Sequence, residues 1–245
     1  MRVLVVGGGP GGLYAALLIK RRSPGSHVAV IDRNRPDDTF GWGVVLSDLT
    51  VANLQAADPI SGASIAQALH HWDDIEVHFA GTTVRSGGHG FSGIGRHRLL
   101  AILQDRCREL GVELTHEQDV AAETIASRVA SGTFDIVVAA DGINSTTRQA
   151  FASTYQPDVD VRRCRYVWLG TPREFDAFTF AFAETSAGWF QAHAYQFAPG
   201  ASTFIVETPW EVWEREGFAE LDSDEAIARC KRLFGSACVG SSCEW

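Results

Sequence analysis

Apolar residues open the chain almost without a break. Val3-Leu4-Val5-Val6, mostly β-branched, run into a glycine turn, and Leu13, Ala16 and Leu17 then begin a helical period. A second strand, His27–Ile31, follows the turn Ser23-Pro24-Gly25 and ends in Asp32. Residues 33–48 read as a loop, and 47–69 as helical pieces broken at Asp58-Pro59. Short alternating runs at 75–79 and 82–85 flank Ala80-Gly81, the mark of a hairpin. Residues 86–95 carry too many glycines to predict regular structure. Beyond Arg96, the residues Leu99, Leu100, Leu103, Cys107 and Leu110 lie at helical spacing, with Gly111 as terminator. A strand at 112–115 follows. The continuous apolar run 134–140 predicts a central parallel strand covered on both faces. From Tyr166 the period changes to two: 166–169, 178–182, 188–197 and 203–207 predict an antiparallel meander, closed by a helix over 223–234. The division expected is an α/β segment, 1–160, with a small strand insertion near 75–92, and an antiparallel sheet with a closing helix over 161–245.

Composition narrows the function classes. The 245 residues can bury one large core or two small ones. A net charge of −9, from 21 basic and 30 acidic residues, offers no field to hold nucleic-acid phosphates. Lysine occurs only at positions 20 and 231, so arginine carries nearly all the positive charge. Five scattered cysteines suggest reduced thiols and a cytoplasmic protein. The Cys238/Cys243 pair lies too far from the glycine turn for a redox role to be expected. Met1-Arg2 leads straight into a core strand and no apolar run is long enough to span a bilayer, so neither signal peptide nor membrane span is expected.

The candidate chemistry gathers at the glycine turn. Gly7 permits the tight bend, Gly9 lets the backbone approach a pyrophosphate, and Gly12 lets the helix pack against the sheet. The helix start then turns free N–H groups and a positive dipole end to the phosphates. Asp32 stands about twenty residues past the last glycine, where a carboxylate meets a ribose 2′-OH. An acid there favours an unphosphorylated ribose, as in NAD or FAD. Asp141, at the carboxyl end of the 134–140 strand, is expected in the same crevice as Gly9. Arg96 reads either as a solvated arginine or as a contact to phosphate or flavin. The stretch Gly41-Trp42-Gly43-Val44-Val45 reads as a surface connection or as a segment against a flat ring. On 188–197, Trp189, His193, Tyr195 and Phe197 share one face, a core packed on a helix before it is the wall of an aromatic pocket. His193 is more often a structural histidine than a catalyst. No metal-ligating constellation stands out.

Three signals together resemble the class A flavoprotein aromatic hydroxylases: the glycine motif at 7–12, the Arg-x-x-Leu-x-x-x-Leu helix at 96–103, and Asp141-Gly142 followed by Ser145 and Arg148. Stretches 38–45, 85–91 and 189–195 are similar to the branch acting on salicylyl-CoA and 2-aminobenzoyl-CoA, with a tryptophan hydroxylase of violacein synthesis more distant. The resemblance implies a Rossmann-like βαβ domain of the GR2 type that binds FAD, with an inserted antiparallel β-sheet substrate domain. It implies a monooxygenase using NAD(P)H and O₂ on a small aromatic substrate, with an aromatic acyl-CoA thioester as the first candidate. Cofactor contacts would fall on Gly7, Gly9, Pro10, Gly11, Gly12, Asp32, Arg33, Val44, Arg96, Asp141 and Gly142. His89, His193 and Tyr195 are the pocket candidates. The family also carries a Gly-Asp segment after the substrate sheet, and no such dipeptide occurs here, so the expectation is an enzyme lacking its C-terminal part. The rival expectations are an inactive nucleotide-binding fragment and another FAD-dependent oxidoreductase. A flavin halogenase would need a mid-chain lysine and a Trp-x-Trp-x-Ile-Pro run, and neither is present.

Overall fold

The computed structural model describes residues 1–235 and 242–244. In chain order the first elements are β1 (Arg2–Val6), α1 (Pro10–Arg22), β2 (His27–Ile31), β3 (Gly43–Ser47), α2 (Asp48–Ala57), α3 (Pro59–Gln67) and β4 (His70–Trp72). There follow β5 (Ile75–Phe79), β6 (Thr82–Ser86), β7 (Phe91–Gly95), α4 (Arg96–Glu109), β8 (Glu113–Thr115), α5 (Ala122–Ala130), β9 (Ile136–Ala139), α6 (Thr146–Ala150) and α7 (Ala152–Tyr155). The last are β10 (Cys164–Thr171), β11 (Phe178–Thr185), β12 (Gly188–Ala198), β13 (Ala201–Pro209), α8 (Trp210–Arg215), α9 (Ser223–Phe234) and β14 (Ser242–Glu244). Packing divides the chain into two units: 1–38, 53–65 and 97–160 form one, and 39–52, 66–96 and 161–245 the other. Residues 39–52 and 66–96, expected inside the first segment, pack with the second unit instead.

The first unit is built on a parallel sheet of order β8-β2-β1-β9. Strand β1 lies inside it with Val3, Leu4 and Val5 fully buried, which is why its apolar run does not alternate. The 134–140 run is not the central strand expected. Its ordered part, β9, pairs with β1 alone among the described residues, and Ile136 is 46% exposed. Behind the sheet, Asp58 is fully buried just ahead of α3. Its carboxylate takes the Arg106 guanidinium of α4 at 3.0 and 3.1 Å and the Ser61 amide at 3.0 Å, with Arg21 of α1 at 3.4 Å. One carboxylate thereby ties three helices together. Burial pushes its pKa up, but the bonds from Arg106 and Ser61 outweigh that and hold it below the usual carboxylate value.

The second unit holds a sheet of order β14-β10-β13-β12-β11-β5-β6, antiparallel except where β5 joins β11 in parallel. It is not a simple meander, because β10 returns to pair with β13. One face buries Leu169, Phe190, Phe204 and Val206 under Val212 and Trp213 of α8, Phe218, and Cys230 of α9. A smaller sheet, β3-β7-β4, corrects two expectations: 43–47 and 91–95 are strands. Their glycines serve close approach, not irregularity. A Cβ on Gly93 would stand 2.4 Å from the Gln196 carbonyl oxygen, and one on Gly43 would stand 2.6 Å from the Phe197 ring. The hairpin β5–β6 forms as expected, with Ala80 and Gly81 both at positive φ.

Candidate functional site

In the first unit, β1 delivers its last residue to Gly7, at φ +107°, whose N–H donates to the Ile31 carbonyl at 2.8 Å. A Cβ on Gly7 would meet the Ala140 carbonyl oxygen at 2.1 Å, and one on Gly12 would meet the Gly7 carbonyl oxygen at 1.9 Å. Both glycines are fixed by packing. Gly9 and Gly11 differ: a Cβ on either would meet no atom within 4 Å. Gly9 is the N-cap of α1, offers no side-chain cap, and is followed by Pro10 with no acid in the first turn. A 13-residue helix therefore presents its start to open space with its dipole uncompensated. That is the arrangement a pyrophosphate requires.

The two acids beside this turn are already engaged. Asp32 accepts from the Gly8 N–H through one oxygen and from the Asn34 N–H at 2.7 Å through the other. It orients the turn, and its remaining lone pairs are what a ribose hydroxyl could use. Arg33 is exposed. Asp141 follows Ala140, whose carbonyl lies against Gly7. Its carboxylate accepts from Ser145 Oγ at 2.6 Å and from the Thr147 N–H at 3.1 Å. Burial pushes the Asp141 pKa up, yet those bonds win and hold it low. Gly142 is at φ +85° with space where a Cβ would stand. The first unit thus brings together the glycine turn, Asp32 and Asp141-Gly142.

The second unit holds the other expected residues. Arg96 opens α4, its N–H bound to the Trp42 carbonyl at 2.9 Å. Its Nε is buried without a hydrogen-bond partner. A buried guanidinium N–H left unpaired is costly, and an acceptor on a ligand would relieve it. Val44 is half-buried on β3. His89 is exposed and bonded to Ser86 Oγ at 3.0 Å. Tyr195 is spent structurally: its hydroxyl donates to the Gly43 carbonyl at 2.8 Å, and burial pushes its pKa up to about 12. His193 sits half-buried on the same strand face, its ring 5.9 Å from Phe178 and 6.3 Å from Phe180, with Glu207 Oε2 at 3.8 Å. Burial lowers its pKa and Glu207 raises it, with burial the stronger.

That face of the large sheet is aromatic across several strands. Trp72 stacks on Phe178 and Tyr195, and Phe79 stacks on Trp189 at 5.4 Å. The Tyr195 end is covered, but by strand β4 through Trp72 and not by the helix expected. At the other end Phe79 and Trp189 are 50% and 42% exposed. Sequence reasoning singled out the segment of Trp42 but missed Trp168; both indole N–H groups are buried without partners among the described residues. The signal was the glycine facing each ring: a Cβ on Gly41 would meet Trp168 at 2.4 Å, and one on Gly170 would meet Trp42 at 2.6 Å. No cluster of three or more metal-ligating side chains occurs among the described residues. Nor is any described helix long and apolar enough to cross a membrane.

A family model described as an FAD binding domain matches residues 1–245. The chain belongs to that family. It is 42% identical to a salicyloyl-CoA 5-hydroxylase of Streptomyces sp over 222 residues, which is 91% of this chain and 42% of the relative. It is 36% identical to the 3-hydroxy-4-methyl-anthranilyl-[aryl-carrier protein] 5-monooxygenase of Streptosporangium sibiricum over 84% of this chain and 57% of the relative. The chain therefore spans about half the length of these relatives. A solved 2-methyl-3-hydroxypyridine-5-carboxylic acid oxygenase shares the fold with a TM-score of 0.74 at 20% identity, over 97% of this chain and 66% of the other.

Proposed function

We propose that this FAD-binding domain works in a monooxygenase that hydroxylates an aromatic ring carried as a thioester, with NAD(P)H and O₂ as co-substrates. The observation that carries the reading is the open, uncapped α1 start at Gly9 and Gly11 in a chain that also presents an aromatic sheet face. The two relatives are named for a coenzyme A thioester and a carrier-bound acyl group, which favours a thioester over a free acid. Bound FAD would supply the redox chemistry, reduction by the nicotinamide and delivery of one oxygen atom to the ring.

The chain's own residues bind and orient. Amides at the start of α1 hold the pyrophosphate, Asp32 accepts from the ribose, and the Arg96 guanidinium donates to the cofactor through its unpaired Nε. Gly7, Pro10 and Gly12 shape the turn. Arg33, Val44, Asp141 and Gly142 are flanking contacts. Phe178 and Phe180, packed edge to face at 4.9 Å, offer an apolar wall that excludes water. His193, kept neutral by burial, accepts the proton that a hydroxylated ring carbon loses. Tyr195 serves by fixing β3, and His89 lies outside that wall's ring contacts. The test is direct. The chain takes up FAD at saturating concentration, and a chain extended by a family-like C-terminal segment consumes NAD(P)H when an aromatic acyl thioester is added. A chain that takes up no FAD at saturating concentration overturns the reading.

A further inference from the structure

The register of the large sheet arranges its aromatic face in three rows, because residues directly opposite on neighbouring strands point to the same side. Trp168, Ile205, His193, Phe180 and Val77 form the middle row. On one side of it Thr203, Tyr195 and Phe178 are covered, Thr203 and Tyr195 by bonds to Gly43 and Phe178 by the Trp72 ring. On the other side Tyr166, Glu207, Gln191 and Phe182 form an open row, with Tyr166 57% exposed. His193 is thus the ionisable member of the middle row, and Glu207, diagonal to it, the carboxylate of the open row. Glu207 Oε2 lies 3.8 Å from His193 Nδ1. That is an ion-pair contact too long for a hydrogen bond, and among the described residues neither side chain makes a hydrogen bond elsewhere. Other ionisable groups on or over this face are Cys164 and Tyr166 of β10, Tyr195 beside His193, Glu184 toward the end of β11, and His70, whose ring is 6.2 Å from Trp72. Burial and Glu207 push the Cys164 thiol up, which keeps it neutral. Among the described residues Glu207 alone makes an ion-pair contact with the imidazole.

We propose that Glu207 is a positioning residue for His193: it holds the imidazole as the Nδ1–H tautomer, so that Nε2 is the atom left to take a proton from the substrate. The inference deepens the monooxygenase reading above and rests on it for the source of that proton. An anion beside one ring nitrogen favours the tautomer whose N–H points to it, and it favours the imidazolium over the neutral ring. Burial works against the imidazolium, and Glu207 offsets part of that cost. The two effects suit the two stages of the step. Before it, the ring is neutral with its Nε2 lone pair turned away from Glu207. In it, the C–H bond at the hydroxylated carbon breaks, its electron pair returns to the aromatic ring, and the proton goes to Nε2. After it, the imidazolium charge faces a carboxylate. Phe178 and Phe180, with ring centroids 5.9 and 6.3 Å away, hem in the imidazole so that its plane is held while the tautomer is chosen. A base and the group that orients it are often loosely spaced without ligand and tighten when substrate excludes water. A separation of 3.8 Å is what such an unliganded pair shows.

Nitrogen NMR of the chain with labelled histidine rings tests this without cofactor or turnover. The His193 signals are those lost in His193→Gln. At pH 8 the natural chain should show its proton on Nδ1 and a bare Nε2. Glu207→Leu removes both charge and acceptor, and should move the ring toward the Nε2–H form that free histidine prefers. Glu207→Gln removes the charge and keeps an acceptor. In both variants the imidazolium should form at a pH about half to one unit lower than in the natural chain. Glu207→Asp, which keeps the charge on a shorter arm, should restore part of that difference, whereas a side chain that merely fills space would not. Circular dichroism checks that the variants fold, and if Glu207→Leu does not, the titration of Glu207→Gln decides. The proposal is overturned if the natural chain carries its proton on Nε2, or if the His193 titration is the same with and without the Glu207 charge. The two readings separate on the chain extended by a family-like C-terminal segment. If that chain oxidises NAD(P)H with an aromatic acyl thioester while the Glu207 variants leave the His193 signals unmoved, the positioning proposal falls alone. If tautomer and titration follow Glu207 but no aromatic thioester stimulates NAD(P)H consumption, the monooxygenase reading falls and the control of the ring by Glu207 stands.

Discussion

At the scale of single residues, the glycine motif splits into two kinds of position that the sequence writes identically. Gly12 packs against the Gly7 carbonyl, whereas Gly9 has ordinary φ −69° and nothing within 4 Å of a Cβ. Gly9→Val should therefore leave the melting temperature nearly unchanged and abolish FAD uptake, while Gly12→Val should lose the fold. Flavin absorbance after desalting, beside a thermal melt, checks both, and an unfolded Gly9→Val would contradict the split. The motif and Asp32 were legible because strand, turn and acid come in a fixed spacing. The roles of Asp32 and Asp141 as acceptors for backbone N–H groups were not, since spacing says nothing of where a carboxylate turns. His193 makes a pH prediction. Its lowered pKa means that the folded state binds fewer protons than the unfolded chain below its ordinary 6.5. The stability this ring contributes is full above about pH 6.5 and is lost as pH falls through the lowered value. Urea midpoints of the natural chain should fall faster than those of His193→Gln between pH 6.5 and 5, and parallel curves would remove the ring from the account.

At the scale of elements, sequence periodicity found β1, α1, β2, the β5–β6 hairpin and α4, each a long or strongly patterned segment. It missed β3 and β7 because their glycines look like punctuation, although each makes room for β12 through Gln196 and Phe197. It placed 134–140 at the sheet centre because an apolar run reports hydrophobicity, not the number of neighbouring strands. The junction of α1, α3 and α4 was equally hidden, since the Asp-Pro at 58–59 reads as a simple break. Arg106 is only 11% exposed and takes both Asp58 oxygens, so removing one partner strands a buried charge. Asp58→Asn should cost about 3–5 kcal/mol in denaturant unfolding, whereas the exposed pair Arg163–Glu211 should be worth less than about 1 kcal/mol. A small effect at Asp58 would mean that water reaches Arg106.

At the scale of the whole molecule, the two packing units place the legible motifs unevenly. The phosphate-ready turn belongs to the first, and Arg96 with the aromatic face belongs to the second. A ligand that binds only the folded chain stabilises it by mass action, by about 2.7 kcal/mol at a hundred times Kd. In a chain of this size each kcal/mol moves the melting temperature by about 2–4 °C, so saturating FAD should raise it by about 5–11 °C. Gly9→Val should show no rise at the same FAD concentration, because the side chain fills the space at the α1 start. Arg96→Gln should show a smaller rise than the natural chain if its buried, unpaired Nε donates to the cofactor as proposed. A scanning melt of the three proteins with and without FAD separates the contributions. A full rise in Arg96→Gln would remove its guanidinium from cofactor recognition, and a full rise in Gly9→Val would remove the glycine turn from the site altogether.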